Sequence, residues 1–172
     1  MFGRRKGKDE NKKNTIAVLA PLTGELIPIR QVNDPTFAEE MLGRGLAIRP
    51  SGNRVVSPVA GVVCQVFETG HAVTLTSEEG VEVLIHVGLD TIRLKGEHYR
   101  IHVREGTAVQ PGDLLIEFDP EGIRAAGFDT VTPVVICNCE AFEGFEAPTG
   151  KRVKEGEPII FLTKHEDAKR EG

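Results

Sequence analysis

Two histidines, His71 and His86, lie at equal distances on either side of a turn signal, where their side chains could do chemistry together. Apolar and polar residues alternate on both sides of Glu78 and Glu79, which is typical of a β-hairpin. A two-residue turn at these glutamates places His71 directly opposite His86. The Cβ atoms of directly opposed residues lie roughly 4.5–5.5 Å apart, so this register predicts that the two imidazoles meet.

The same register divides the side chains between the two faces of the hairpin. Alternation along the strands places on one face His71, Val73, Leu75, Glu82, Leu84 and His86. The other face carries Ala72, Thr74, Thr76, Val81, Val83 and Ile85. Because the second set is more uniformly small or β-branched, we expect it to pack on the core and the histidine face to point outward.

Two facing imidazoles suit the capture and release of a phosphoryl group. A neutral imidazole is a good nucleophile near pH 7, and a second ring that donates an N–H can stabilise the arriving negative charge. The residues alone leave two alternatives open. One or both histidines could simply form surface hydrogen bonds, and a zinc site would need three or four ligands, although further acidic or thiol ligands are not obvious.

The elements that must position this pair are predominantly strands. The 19 glycines and 10 prolines leave few windows long enough for a helix of three turns. Short β-branched runs predict strands over Thr15–Ala20, Glu25–Arg30, Leu46–Arg49, Gly61–Phe67, His71–Thr76, Val81–Val87, Tyr99–Val103, Leu114–Phe118, Thr132–Cys137 and Ile159–Thr163. Helical turns are expected only near Phe37–Leu42 and Ile123–Ala126.

Two weak internal repeats indicate a duplicated architecture. Ala20-Pro-Leu-Thr-Gly24 is similar to Ser57-Pro-Val-Ala-Gly61, and each segment precedes an apolar run. Residues 106–118 align without a gap to residues 150–162, with glycines at equal offsets. Equal glycine offsets predict the same tight turn twice. We therefore expect an all-β fold, an antiparallel sandwich or barrel of two related halves.

Composition excludes several classes of protein. The 172 residues suit one domain, and no apolar run approaches the roughly 20 residues of a membrane-spanning helix, so a cytoplasmic protein is expected. Three cysteines without a secretion signal indicate reduced thiols. A net charge of −5, no Trp and a single Tyr give little support to a nucleic-acid surface.

Charge divides the chain into three segments. Residues 1–14 hold six basic and two acidic residues, a charge of +4, which leaves −9 for the remainder. We expect a solvated basic leader over 1–14, a single domain over 15–163 and a polar tail over 164–172. The leader could also contact anionic lipid weakly.

The segment from Gly80 to Thr91, GVEVLIHVGLDT, closely resembles the phosphohistidine signature of the glucose-type IIA components of the bacterial phosphoenolpyruvate-dependent sugar phosphotransferase system. Further similar segments follow in order from about residue 15 to residue 163. They include Ala20–Glu25, Phe37–Glu39, Gly45–Pro50, Phe67–His71, Leu94–Gly96, Gly112–Asp119 and Thr132–Ile136. The chain is identified on these motifs as a member of that family.

The resemblance implies a phosphocarrier that accepts a phosphoryl group from HPr and passes it to the IIB domain of a glucose-type sugar permease. His86 would carry the phosphoryl group, His71 would donate to its oxygens, and Thr69 would orient His71. Apolar and acidic residues would meet the partner proteins; these are Asp34, Phe37, Met41, Leu42, Phe67, Leu84 and Asp90. No metal or other cofactor is expected.

A zinc peptidase on a related fold is the main rival. His86-Val-Gly-Leu-Asp90 matches the His-x-x-x-Asp motif of those enzymes, but no His-x-His occurs to supply the remaining ligand. The sequence also lacks a phosphate-binding Gly-x-x-x-x-Gly-Lys-Ser/Thr loop, so an independent ATP site is not expected.

Overall fold

A computed structural model describes residues 14–165, which form antiparallel sheets with little helix. The strands are β1 (Thr15–Leu19), β2 (Gly24–Pro28), β3 (Arg44–Pro50), β4 (Arg54–Val56), β5 (Gly61–Val66), β6 (Ala72–Ser77), β7 (Glu82–His86), β8 (Tyr99–Ile101), β9 (Ala108–Val109), β10 (Leu114–Phe118), β11 (Thr132–Ile136), β12 (Gly144–Glu146), β13 (Arg152–Val153) and β14 (Pro158–Thr163). The helices are α1 (Pro35–Ala38) and α2 (Pro120–Ala125), with 3-10 turns at Ile29–Gln31, Thr91–Leu94 and Cys139–Ala141. The all-β prediction is confirmed.

The strands form one large sheet and two small ones. The large sheet has the order β13-β2-β3-β11-β7-β6-β5-β9, and the small sheets have the orders β1-β14-β12 and β4-β10-β8. All ten predicted strands are present, whereas the short strands β4, β9, β12 and β13 were not predicted. The main core lies between the sheets and contains the inward side chains of β3, β6, β7, β10, β11 and β14.

The duplication is visible in the pairing of the large sheet. Gly24 of β2 pairs with Val153 of β13, and Gly61 of β5 pairs with Val109 of β9 in the same way. Four glycines occupy matching turns with φ values of +88, +93, +86 and +94, at Gly106, Gly112, Gly150 and Gly156. Positive φ favours glycine, which explains the equal offsets in the sequence.

The predicted register of the β6–β7 hairpin is wrong by one residue. His86 lies opposite Ala72 rather than His71. The turn contains three residues, because Gly80 adopts a φ of +88 and the Ser77 amide donates to the Val81 carbonyl at 2.9 Å. A third loop residue in the left-handed conformation is a common alternative to the two-residue turn that we assumed.

The shifted register also corrects the predicted faces. The core-facing set is Val73, Leu75, Val83 and Ile85, each fully buried. The opposite face carries Ala72, Thr74, Thr76, Glu82, Leu84 and His86. His71 lies at a bend before β6 begins, so the alternation of that strand does not fix the direction of its ring.

A second apolar cluster covers the outer face of the large sheet beside His86. Its members are Ile27, Ile29, Val32, Phe37, Ala47, Ala72, Leu84, Leu89, Val131 and Val135. Phe37 reaches this cluster from α1, which begins with Pro35 after Asp34 caps it by accepting the Thr36 amide at 3.0 Å. The helix therefore holds an aromatic ring beside the end of β7.

The predicted leader and tail lie almost entirely outside the described residues. The division into a leader, one domain over 15–163 and a tail therefore stays a prediction. Among residues 14–165, no helix has the length and hydropathy that crossing a membrane requires.

Candidate functional site

The imidazoles of His71 and His86 lie in contact. Their ring centroids are 4.8 Å apart and the ring planes meet at 80°. His86 is the last residue of β7, and the His71 carbonyl accepts the Val87 amide at 2.7 Å, which ties the bend before β6 to the end of β7. The predicted proximity is confirmed although the register that led to it was wrong.

The two rings differ in their access to solvent. His71 is 1% exposed, so the expectation that it points outward is wrong, whereas His86 is half-buried. Aromatic rings surround the pair: Phe37 lies 5.1 Å from His86, while Phe67 and Tyr99 lie 5.4 Å and 6.3 Å from His71, between centroids. Among residues 14–165, His86 is therefore the member of the pair that a partner molecule reaches more readily.

The tautomer of His86 follows from its hydrogen bond to Gly88. His86 Nδ1 lies 2.8 Å from the Gly88 carbonyl oxygen. A carbonyl oxygen only accepts, so Nδ1 of the neutral ring carries the proton and Nε2 keeps a free lone pair. Gly88 aims its carbonyl in this direction from a φ of +89. The backbone thus leaves Nε2 unprotonated, which is the state that a nucleophilic ring nitrogen requires.

We expect Gly88→Ala to destabilise the fold by about 3 kcal/mol or more. A Cβ atom there would lie 2.5 Å from Thr91 Cγ2 and 3.0 Å from the Asp129 carbonyl, in addition to the positive-φ strain. Gly106→Ala is the matched control, because Gly106 has a φ of +88 but open space around the added Cβ. That variant should lose only about 1 kcal/mol. Urea unfolding measures both, and equal losses would contradict the steric argument.

Thr69 lies on the turn that precedes His71. The Gly70 amide donates to the Phe67 carbonyl at 2.7 Å, and Gly70 adopts a φ of +73. This turn brings Thr69 Oγ1 into a short hydrogen bond with His71 Nδ1. When the hydroxyl donates to Nδ1, the proton of the neutral His71 ring resides on Nε2, which then serves as a donor.

Burial lowers the pKa of both histidines. The pKa of His71 falls from 6.5 to about 4, because the ring is removed from water and a charged His86 would repel its proton. Burial also lowers the pKa of His86, although the Gly88 carbonyl and the Asp34 carboxylate partly oppose that shift. Both rings are therefore neutral at pH 7, the state in which an imidazole can serve as a nucleophile or as a directional N–H donor.

Acid should destabilise the protein through His71. Its pKa is about 4 when folded and about 6.5 when unfolded, so the unfolded state binds the proton first. The contribution to stability is complete above pH 6.5, decreases as the pH falls toward 4, and reaches about 3 kcal/mol in total. The difference in unfolding free energy between wild type and His71→Gln, followed from pH 7.5 to 4, isolates this effect from carboxylate titration. A difference independent of pH would refute it.

The apolar residues predicted to meet partners fall into two groups. Met41 and Leu42 are 68% and 42% exposed and present apolar surface to solvent. Phe37 and Leu84 are only 4% and 7% exposed and belong to the second cluster, against which the half-buried Phe67 packs. The two buried side chains therefore form the floor of the site rather than its rim.

The two acidic residues predicted to meet partners also differ. Asp34 is half-buried and caps α1, yet its charge still acts on His86. Asp90 is exposed, adopts a φ of +61 and pairs with Arg93 at 3.3 Å between Oδ2 and Nη1. Asp90 is therefore the more exposed of the two, although it is paired with Arg93.

Several groups that hold the two histidines in place were not predicted from the sequence. The Gly88 carbonyl, the Tyr99 ring and the Thr91 hydroxyl all act through contacts that no spacing in the sequence indicates. The other described histidines lie elsewhere, where His98 and His102 pair with Asp119 and Glu117. Within residues 14–165, no group of three or more His, Cys, Asp or Glu side chains is arranged to hold a metal ion.

Comparison with known proteins identifies the family that the sequence motifs indicate. Residues 16–142 match the family described as phosphoenolpyruvate-dependent sugar phosphotransferase system, EIIA 1. The glucose-specific EIIA component of Halalkalibacterium halodurans is 43% identical over 170 residues, which cover 95% of this chain and 98% of that protein. The structure of glucose permease IIA from Mycoplasma capricolum has a TM-score of 0.78 at 32% identity and covers 86% of this chain and 95% of that one.

A longer relative places a similar segment inside a larger protein. The β-glucoside-specific EIIBCA component of Dickeya chrysanthemi is 47% identical over 145 residues, which cover 84% of this chain but 23% of that protein. The fold and the matches together define a phosphocarrier of the sugar phosphotransferase system. The chain belongs to the EIIA 1 family of that system, and the resemblance noted in the sequence is confirmed.

Proposed function

We propose that His86 carries the phosphoryl group on Nε2, receives it from HPr and passes it to the IIB domain of a glucose-type sugar permease. The observation that carries this proposal is the hydrogen bond from Nδ1 to the Gly88 carbonyl, which leaves Nε2 as the free nucleophile. His86 is also the more exposed member of the pair.

The transfer exchanges one bond to phosphorus for another. The Nε2 lone pair of His86 attacks phosphorus in line, a P–N bond forms, and the electron pair of the breaking bond returns to the donor. Phosphorylation makes the ring positive while Nδ1 keeps its proton, so the bond to the Gly88 carbonyl strengthens. Attack by a nucleophile of the IIB domain reverses these changes.

His71 acts as the donor to the phosphoryl oxygens in this proposal. Its ring lies 4.8 Å from that of His86, within reach of a group on Nε2, and it is neutral at pH 7. Thr69 orients this donor, because its hydroxyl engages Nδ1 and leaves the proton on Nε2. A preorganised donor of this kind stabilises charge in the transition state.

The exposed apolar residues Met41 and Leu42 serve as the docking surface beside the site, with Phe37, Phe67 and Leu84 beneath. Such a surface excludes water from the labile P–N bond. Asp34 and Asp90 attract basic partner faces, in agreement with the charge of −9 outside residues 1–14. We expect added salt to slow transfer from phospho-HPr, and Asp90→Asn to weaken that salt dependence, as initial rates at several ionic strengths would show. Unchanged salt dependence would argue against this role of Asp90.

We also propose that the protein acts in the cytoplasm, beside a membrane permease. A basic leader, which lies outside the described residues, could add weak attraction to anionic lipid. Sedimentation with anionic vesicles, compared with neutral ones, tests that contact.

Labelling tests the central proposal directly. The protein is incubated with ³²P-phosphoenolpyruvate, enzyme I and HPr, and we expect a label that is labile in acid and stable in base. Cleavage after glutamate at mildly alkaline pH separates the two candidates, since His71 lies in fragment 69–78 and His86 in fragment 83–97. We expect the label in fragment 83–97. Recovery in fragment 69–78 would overturn the assignment.

A further inference from the structure

The peptide group that joins Val87 to Gly88 is held by hydrogen bonds to two side chains. The Val87 carbonyl accepts two hydrogen bonds, one from the Tyr99 hydroxyl at 2.8 Å and one from Thr91 Oγ1 at 2.8 Å. A carbonyl oxygen has two lone pairs, so both donors can bind it at once. The two hydroxyls therefore fix the plane of the peptide that joins Val87 to Gly88.

That plane is one of the supports that direct the carbonyl that holds the His86 ring. Glycine has wide conformational freedom, so Gly88 by itself would not keep its carbonyl aimed at Nδ1. With the preceding peptide fixed, φ at +89 and the Leu89 amide donating to the Asp129 carbonyl at 3.0 Å, the Gly88 carbonyl oxygen lies 2.8 Å from His86 Nδ1. The direction of this carbonyl decides which ring nitrogen carries the proton.

Tyr99 is well suited to this task. It begins β8, its partly buried ring packs on the main core, and its centroid lies 6.3 Å from that of His71. Burial raises the pKa of Tyr99 to about 12, so the hydroxyl keeps its proton throughout the neutral range. Thr91 is fully buried and Tyr99 is half-buried, so water competes little with the bond that Thr91 donates.

We propose that Tyr99 is a positioning residue for phosphoryl transfer. Its hydroxyl acts through the Val87–Gly88 peptide to keep Nε2 of His86 free. This inference rests on the proposed role of His86 as the phosphoryl carrier. It assigns to Tyr99 an effect on the His86 tautomer, in addition to the packing of its ring.

The test compares Tyr99→Phe, which keeps the ring and removes the hydroxyl, with wild type. ¹⁵N NMR of the unphosphorylated protein reports the tautomer of His86, and we expect the fraction with the proton on Nδ1 to fall. Transfer from the phosphorylated protein to the IIB domain should slow about threefold to tenfold, as the loss of one hydrogen bond implies. Unfolding in urea confirms that the variant is folded.

Ser57→Ala is the matched control. Ser57 is 1% exposed and its hydroxyl donates to the Val59 carbonyl at 2.7 Å, so the variant loses a similar buried hydrogen bond without touching the histidines. We expect it to lose stability while the tautomer and the transfer rate stay unchanged.

An unchanged His86 tautomer in Tyr99→Phe would overturn the inference, as would an equal change in Ser57→Ala. Failure of the proposed function would look different, because a label in fragment 69–78 would remove His86 as the carrier while leaving the NMR result intact.

Discussion

His86→Ala is expected to accept no phosphoryl group from phospho-HPr, with labelling reduced by more than about a thousandfold, as is typical when a covalent nucleophile is removed. Among the described residues, His71 is the ring closest to replacing His86, but it is 1% exposed and its Nδ1 engages Thr69. It cannot approach a donor protein in line. Incubation with ³²P-phosphoenolpyruvate, enzyme I and HPr, followed by gel autoradiography, measures the loss.

His102→Ala is the control for this experiment. His102 is an exposed histidine that pairs with Glu117 at 2.7 Å on β10, away from the pair at the end of β7. We expect normal labelling of this variant. Circular dichroism should show that both variants keep the β fold, and a labelled His86→Ala protein would contradict the assignment of the carrier.

Local pattern was sufficient to predict most of the fold. β-branched runs between glycines located ten strands, nine of them with five or more residues, and equal glycine offsets predicted the duplicated turns. The predicted hairpin register was wrong by one residue, because Gly80 extends the turn to three residues. The alternation of apolar and polar residues is equally compatible with a two-residue turn at the glutamates. The four missed strands have two or three residues, which leaves little alternation to recognise.

The sequence predicted the meeting of the two histidines and the contact of Thr69 with His71, but not the other groups that hold the rings in place. His71 and His86 meet at the end of a hairpin, so the hairpin pattern predicts their proximity even with the wrong register. Tyr99 comes from β8 of a small sheet and Phe37 from α1, and the contacts of both rings depend on how those elements pack beside β7. Backbone carbonyls such as that of Gly88 carry no side-chain signal at all.

The second large effect concerns the rate at which the phosphoryl group leaves. His71→Ala should still reach full labelling, because His86 Nε2 remains free and the endpoint depends only on the donor supply. Transfer onward to the IIB domain should slow about 10²- to 10³-fold, as observed when a preorganised donor to a developing charge is removed. Rapid-quench measurement of label leaving the purified phosphoprotein gives this rate.

His71→Gln is the matched variant for that measurement. Its side-chain amide can still donate an N–H toward the phosphoryl oxygens, so we expect a rate between those of His71→Ala and wild type. Thr69→Val should slow transfer about tenfold, because the His71 ring remains but loses the hydroxyl that fixes its proton. If His71→Ala transferred at the wild-type rate, the neutral His71 ring would have only a packing role, and its burial beside His86 would stabilise the fold without assisting the chemistry.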